Sequence, residues 1–288
     1  MRYWLYLRVL AGLLLISCSE KSDTNSGERD TVSAGDELQP NNQLVAWPEN
    51  GMILPKPSAR DTIGQRFYPS RNDRVLMIGD SLSVGGFGES MQEYLLRRFG
   101  ASNVALFAVC GSSPEHWLRA GPDYATKCGY REHTPLSAKV LDFDHGRPPP
   151  AVPTPKLEDL LAKYRPTILI VQLGTNWMDA LVIHAEREQE DARIMDDFML
   201  VAQHALSSVR RVIWITPPDS SHYPYQVQRT VLALIKNASF RYGFKTIDSS
   251  TMTHYVPGKS GNDGVHYASE PAREWASLVT VQLDRIMR

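Results

Sequence analysis

The chain has 288 residues, with 31 lysines and arginines against 32 aspartates and glutamates, and a formal net charge of −1. This balance excludes the strongly basic surface of a nucleic-acid-binding protein, so we expect no nucleic-acid partner. The length is sufficient for one sizeable domain or two small ones.

The first 17 residues have the pattern of an export signal. Arg2 and Arg8 precede an apolar run at 9–16, which is too short to span a bilayer but long enough for a signal-peptide core. The Leu-Ile-Ser-Cys sequence that ends at Cys18 resembles the bacterial lipobox, which implies that Cys18 is lipidated and anchors the protein to a membrane. By resemblance to sorting rules in Gram-negative bacteria, Ser19 implies the outer membrane, facing the periplasm. A plain cleaved signal peptide, or a short N-terminal anchor, with an incidental cysteine is the alternative.

Residues 18–45 are rich in Ser, Asp, Glu, Asn and Gly and have almost no large apolar side chains. Such a segment cannot bury a core, so we predict a flexible tether that begins at Cys18. The remaining residues, 46–288, form the predicted domain, whose first part to about 72 is rich in proline and wraps the surface.

From residue 74 onward, strand-like and helix-like segments alternate. The strand candidates are mostly continuous apolar runs, which is typical of parallel strands that are buried on both faces; they lie at 74–79, 103–109, 167–173, 211–216 and 244–248. The helix candidates lie at 88–98, 156–164, 190–208, 225–241 and 270–287. This alternation predicts an α/β fold, a three-layer α/β/α sandwich around a parallel sheet of about five strands.

The connection at 110–155 is unusually long and holds the other two cysteines, Cys110 and Cys128. A loop of this length in a compact domain is more often functional than idle, so we expect it to shape the substrate cleft, with a surface insertion of no role as the alternative. Export would place the domain in an oxidising compartment, so we expect a disulfide between the two cysteines, with two free thiols as the alternative.

Four short motifs follow apolar runs or lie in loops. Gly79-Asp80-Ser81 ends the first strand, Gly111 follows the second, and Gly174-Thr175-Asn176 follows the third, while Asp263-Gly264-Val265-His266 precedes the last helix. In parallel sheets, sites lie beyond the carboxyl ends of the strands, where these motifs fall. A serine in such a tight turn is accessible to a substrate, and a histidine with a nearby carboxylate can activate it.

Together these motifs resemble the SGNH/GDSL hydrolase family over residues 74–285. The resemblance implies a flavodoxin-like sheet and ester hydrolysis or acyl transfer without a metal or cofactor. It implies that Ser81 is the nucleophile, that His266 is the base and that Asp263 orients the histidine. It also implies an oxyanion hole made of the backbone N–H groups of Ser81 and Gly111 and the side-chain amide of Asn176.

The chain departs from the family pattern at two positions. Trp177 replaces the acid that usually follows the asparagine of the third motif, and Tyr267 replaces the proline that often follows the histidine. These two aromatics flank the motifs together with Trp117 and Tyr223. The set is open to two interpretations, a platform for sugar rings or ordinary packing.

No lid domain or broad apolar helix is evident in the sequence, so a short acyl group such as acetyl is expected rather than a long chain. With the predicted envelope location, this favours a serine esterase that acts on an acylated small molecule or on O-acetyl groups of a cell-envelope carbohydrate. Two alternatives are an O-acyltransferase that uses the same residues and a non-catalytic envelope-binding lipoprotein. Asp142 and His145 stand among Gly and Pro, which favours a solvated loop over a metal site.

Overall fold

The computed structural model describes residues 70, 72–119, 121–126, 128–143, 147–205, 209 and 211–287. The predicted signal peptide, lipidated Cys18 and tether lie outside these residues, as does the start of the predicted domain up to residue 69. Within the described ranges, none of the helices is both long enough and apolar enough to cross a membrane.

One mixed sheet of seven strands forms the centre of the described residues, in the order β4-β3-β2-β1-β5-β6-β7. The strands are β1 Val75–Gly79, β2 Val104–Val109, β3 Tyr130–His133, β4 Ala138–Leu141, β5 Ile168–Gln172, β6 Arg211–Ile215 and β7 Lys245–Ile247. The five predicted strands are present and pair in parallel, while β3 and β4 pair antiparallel at one edge. The parallel strands follow the flavodoxin-like order, in which the second strand lies outside the first.

Helices cover both faces of this sheet, as the alternating pattern predicts. They are α1 Ser81–Val84, α2 Gly86–Phe99, α3 Pro114–Leu118, α4 Leu157–Tyr164, α5 Thr175–Ile183, α6 Glu188–Ala205, α7 Tyr225–Tyr242 and α8 Ser269–Ile286. One apolar core joins the sheet to α2 and α8, and another joins the opposite face to α4, α5, α6 and α7. The three-layer α/β/α fold is therefore confirmed. Every residue of β1, β2 and β5 is buried because both faces are covered.

The connection at 110–155 is more structured than its sequence indicates. It contains α3 and the hairpin of β3 and β4, which extends the sheet past β2. These two strands are partly polar because they lie at a solvated edge, so they lack the continuous apolar runs that predicted the central strands. Cys110 and Cys128 are joined in a disulfide with a Cα–Cα distance of 5.4 Å, which ties the end of β2 to the segment before β3.

Candidate active site

The nucleophile motif lies where the central strand β1 turns into the short helix α1. Asp80 is the N-cap of α1, and its Oδ1 atom accepts a hydrogen bond of 3.0 Å from the backbone N–H of Leu82. A carboxylate is a favoured N-cap because it satisfies N–H groups that have no partner within the helix. Ser81 is therefore the first helical residue, and it is partly exposed at the carboxyl end of the sheet.

The structure brings three predicted site residues into one hydrogen-bonded chain. His266 Nε2 lies 2.9 Å from Ser81 Oγ, and His266 Nδ1 lies 2.7 Å from Asp263 Oδ2. Ser81 and His266 are 185 positions apart in the sequence, so the fold creates this contact. A hydroxyl, an imidazole and a carboxylate thus have the geometry that a triad of nucleophile, base and orienting acid requires.

The loop that carries the histidine is held by polar contacts. Tyr255 Oη accepts a hydrogen bond of 3.0 Å from the Gly264 N–H, and Ser220 Oγ donates one of 2.6 Å to the Gly264 carbonyl. Gly264 has φ +84°, and a Cβ atom there would come within 2.9 Å of His222. A glycine is required at this turn because any other residue would be strained and crowded.

The surroundings of Asp263 favour its ionised form, a carboxylate that accepts hydrogen bonds. Its Oδ1 atom accepts bonds of 2.9 Å and 2.8 Å from the backbone N–H groups of Val265 and His266. Partial burial opposes ionisation of this carboxyl group, but the bonds from Val265 and His266 outweigh it and hold the pKa of Asp263 below its ordinary value. The acid therefore remains ionised and fixes the proton on Nδ1 of the histidine.

Asp80 is a second acid close to the nucleophile, and it is fully buried. Burial raises its pKa to about 6, although the Leu82 N–H bond offsets part of the rise. Its Oδ2 atom makes no hydrogen bond of standard geometry among the described residues, but Thr175 and Gln172 lie close enough to lower the pKa of Asp80 in part. The sequence places Asp80 in the motif but gives no sign of this buried polar cluster.

Gly111 and Asn176 line one cavity of about 310 Å³. Gly111 has φ +79°, a conformation that suits glycine. Asn176 Nδ2 donates a hydrogen bond of 2.8 Å to the Ser112 carbonyl, which orients the amide and leaves its second N–H available. The two residues line the same cavity, and their role in an oxyanion hole stays a prediction.

Asn176 lies on a helix that is absent from the helix candidates of the sequence. The helix α5 begins at Thr175, directly after Gly174, so Asn176 lies in the first helical turn. The apolar residues after Asn176 belong to this helix, which is too short for its periodicity to be distinct in the sequence.

The four flanking aromatics mostly pack inside the protein. Trp117, Trp177 and Tyr223 are buried in one apolar core, and Tyr267 Oη donates a hydrogen bond to the Asp219 carbonyl. Trp177 also lines the cavity beside Asn176. The structure therefore favours ordinary packing for this set.

Sequence reasoning missed the charged residues of the cavity. The full lining comprises Gly111, Ser113, Glu115, His116, Asn176, Trp177, Asp179, Ala180, Arg187 and Asp191. Arg187 and Asp191 are four positions apart, a spacing that in sequence is typical of an exposed helical ion pair. Nothing in that pattern signals that the side chain of Asp191 is only 1% exposed.

No family model matches the sequence, and no curated protein matches it either. Solved structures are similar at low identity. An alpha/beta hydrolase enzyme from the metagenome of Lake Arreo, Spain, is 14% identical with a TM-score of 0.49, over 78% of this chain and 100% of that chain. A peptidoglycan O-acetylesterase is 13% identical with a TM-score of 0.45, over 75% of this chain and 91% of that chain.

An acetyl xylan esterase from Geobacillus stearothermophilus is 12% identical with a TM-score of 0.45, over 75% of this chain and 94% of that chain. Similarity at this low identity and TM-score supports no conclusion about mechanism. The chemistry of the site rests on its own distances, burial and hydrogen bonds.

Proposed function

We propose that this chain is a serine esterase of the SGNH/GDSL type that removes short acyl groups, acetyl above all, from carbohydrate of the cell envelope. The observation that carries the proposal is the continuous chain from Ser81 Oγ through His266 to Asp263, with contacts of 2.9 Å and 2.7 Å. Each contact is within hydrogen-bond distance, as proton transfer during acyl transfer requires.

The first half of the reaction acylates the enzyme. Ser81 Oγ attacks the ester carbonyl while His266 Nε2 takes its proton, and the carbonyl electrons move to the oxygen. The backbone N–H of Gly111 and the amide of Asn176 stabilise that oxyanion, as donors of this kind do in acyl transfer. His266 then protonates the alcohol oxygen, the ester C–O bond breaks, and the acyl group remains on Ser81.

The second half releases the acid. Water attacks the acyl-Ser81 carbonyl while His266 takes a proton from it, and the tetrahedral intermediate expels Ser81 Oγ, which regains the proton. Asp263 stabilises the imidazolium in both halves and does not itself become protonated. The triad thus needs only water and the ester.

Solvent access to the site favours hydrolysis over acyl transfer to a sugar. The side chains of His266 and Asp263 are 50% and 55% exposed, so water reaches the atoms that resolve the acyl-enzyme. An acyltransferase must limit this access to protect its intermediate, because water competes with the acceptor hydroxyl.

Several features support the proposed substrate and location. A cavity of about 310 Å³ that is lined partly by charged side chains suits a small polar group better than a long acyl chain. The predicted export signal and lipidated Cys18 would hold the enzyme at the envelope, facing the periplasm. There the acylated partner would be a polysaccharide or a smaller glycan.

The test compares the protein with its Ser81→Ala variant on a chromogenic acetyl ester and on an acetylated polysaccharide. We expect acetate release from both substrates and a loss of about 10⁵-fold or more in kcat for the variant. Ser277→Ala, on the exposed face of α8, serves as the matched control and should retain full activity. Equal activity of Ser81→Ala and the protein would contradict the esterase. Turnover of the simple ester alone would contradict the carbohydrate substrate.

A further inference from the structure

The cavity beside Asn176 has a feature that ester hydrolysis does not use. Its wall is built by α3, α5 and the start of α6, and it includes the side chains of Arg187 and Asp191. Arg187 lies just before α6, and Asp191 lies in its first turn. The pair is thus placed next to the predicted oxyanion donors but outside the triad.

The two side chains are close but incompletely satisfied. Arg187 Nη2 lies 3.9 Å from Asp191 Oδ1, and Arg187 Nε lies 3.7 Å from Glu190 Oε2, both beyond hydrogen-bond distance. Arg187 Nε and Asp191 Oδ2 are buried without a hydrogen-bond partner among the described residues. A buried donor and a buried acceptor of this kind are costly unless a ligand or water satisfies them.

We propose that this cavity binds the sugar part of the substrate and that Arg187 and Asp191 hold two neighbouring hydroxyl groups. A hydroxyl group both donates and accepts, so one can donate to Asp191 Oδ2 while its neighbour accepts from Arg187 Nε. An acyl chain in the same place would leave both groups buried and unsatisfied. The assignment rests on the proposed esterase and identifies the residues that select its substrate.

The rest of the lining indicates a neutral sugar. Glu115 and Asp179 add two carboxyl groups, so acidic side chains outnumber Arg187 in the wall. The negative potential of these carboxylates repels an anionic sugar such as a uronic acid or a sugar phosphate. Ala180 is partly exposed and supplies an apolar part of the wall, against which the C–H face of a ring can pack.

The experiment uses two acetyl esters that differ only in hydroxyl groups. One is 6-O-acetyl-1,5-anhydro-D-glucitol, and the other is (tetrahydropyran-2-yl)methyl acetate, which has the ring and the ester but no hydroxyl groups. The readout is the ratio of their kcat/KM values, because a general loss of structure lowers both alike. We expect the ratio to fall about 10- to 100-fold in Asp191→Asn and in Arg187→Met, since each change removes a hydrogen bond that involves a charged group.

The chain provides matched controls on the same helix. Arg193 and Asp197 have the same spacing as the cavity pair, but their side chains are 60% and 51% exposed. Arg193→Met and Asp197→Asn should leave the ratio as it is in the unchanged protein. Thermal unfolding of all four variants identifies any that fail to fold.

The outcomes separate this inference from the proposed function. An unchanged ratio in folded Asp191→Asn and Arg187→Met would overturn the sugar-binding assignment while the esterase stands. If neither ester is hydrolysed, calorimetric binding of methyl β-D-glucopyranoside decides the inference, and the esterase proposal fails only if the chromogenic acetyl ester and the acetylated polysaccharide are not hydrolysed either. Binding that weakens about 10-fold or more in Asp191→Asn but not in Asp197→Asn would support it, and absence of binding would overturn it.

Discussion

The nucleophile and the base of this site are positioned by opposite means. Ser81 follows a central strand whose residues are all buried, and it is preceded by Asp80, which is fully buried too. His266 and Asp263 lie on a loop with half-exposed side chains, and hydrogen bonds to Gly264 and Asp263 hold that loop. Packing thus fixes one half of the site and polar contacts fix the other. Loss of a catalytic side chain from the loop should reduce activity more than stability, whereas changes around the nucleophile should alter stability as well.

The largest effect is expected from His266→Ala, on the loop side. Without the imidazole, nothing in the triad takes the proton of Ser81, so we expect kcat to fall about 10⁵-fold with little change in the unfolding free energy. Steady-state kinetics and urea unfolding measure the two quantities. The double variant with Ser81→Ala should be no less active than either single variant, and an additive loss would contradict a triad that acts as a unit.

Asp263→Asn should have the next largest effect. The amide retains an acceptor for the backbone N–H groups of Val265 and His266, but it no longer stabilises the imidazolium. We expect a fall of about 10³- to 10⁴-fold in kcat. A loss below about 10-fold would show that the acid contributes little to orienting the histidine.

On the nucleophile side, the disulfide should contribute mainly to stability. The sequence separation of Cys110 and Cys128 is 18, and a cross-link of this span contributes about 3 kcal/mol by chain entropy. Replacing both cysteines with serine should lower the unfolding free energy by about this amount, measured by urea unfolding. A reductant should destabilise the unchanged protein and leave the double variant unaffected. Equal stability with and without reductant would contradict the bridge.

Gly264→Ala tests the turn that positions the histidine. The alanine would be strained at φ +84° and crowded against His222, so we expect a loss of about 2 kcal/mol together with reduced kcat. Gly258→Ala is the matched control, because Gly258 also has a positive φ but no atom lies within 4 Å of its added Cβ. Backbone strain destabilises both variants, so equal losses of activity would show that contact with His222 plays no part.

The smallest effect concerns Asp80 and is a dependence of stability on pH. Its pKa is about 6 in the folded protein against an ordinary value of 3.8, so the folded state binds more protons than the unfolded state between these pH values. The contribution of Asp80 to the unfolding free energy therefore decreases as pH rises from about 4 to about 6, and it is constant above that range. Asp80→Asn should be more stabilising at pH about 7.5 than at pH about 5, by about 1 kcal/mol. Urea unfolding at both pH values measures this, and greater stabilisation at the lower pH would contradict the burial argument.

The sequence predicts the parts of the molecule whose signals are local. The runs at 74–79 and 167–173 are apolar because both faces of their strands are covered, and the motifs after them mark the site. β3 and β4 were not predictable in this way, because an edge hairpin with one solvated face can be polar. The burial of Asp191 and Asp80 arises from the packing of distant elements, which the sequence pattern does not encode.

The most direct test of the central claim is covalent labelling of the nucleophile with a fluorophosphonate probe. The labelled residue is identified by mass spectrometry of peptides. The triad predicts a single phosphonylated residue, Ser81, with labelling abolished in Ser81→Ala and strongly slowed in His266→Ala. Labelling at another residue, or equal labelling of Ser81 with and without His266, would contradict the account.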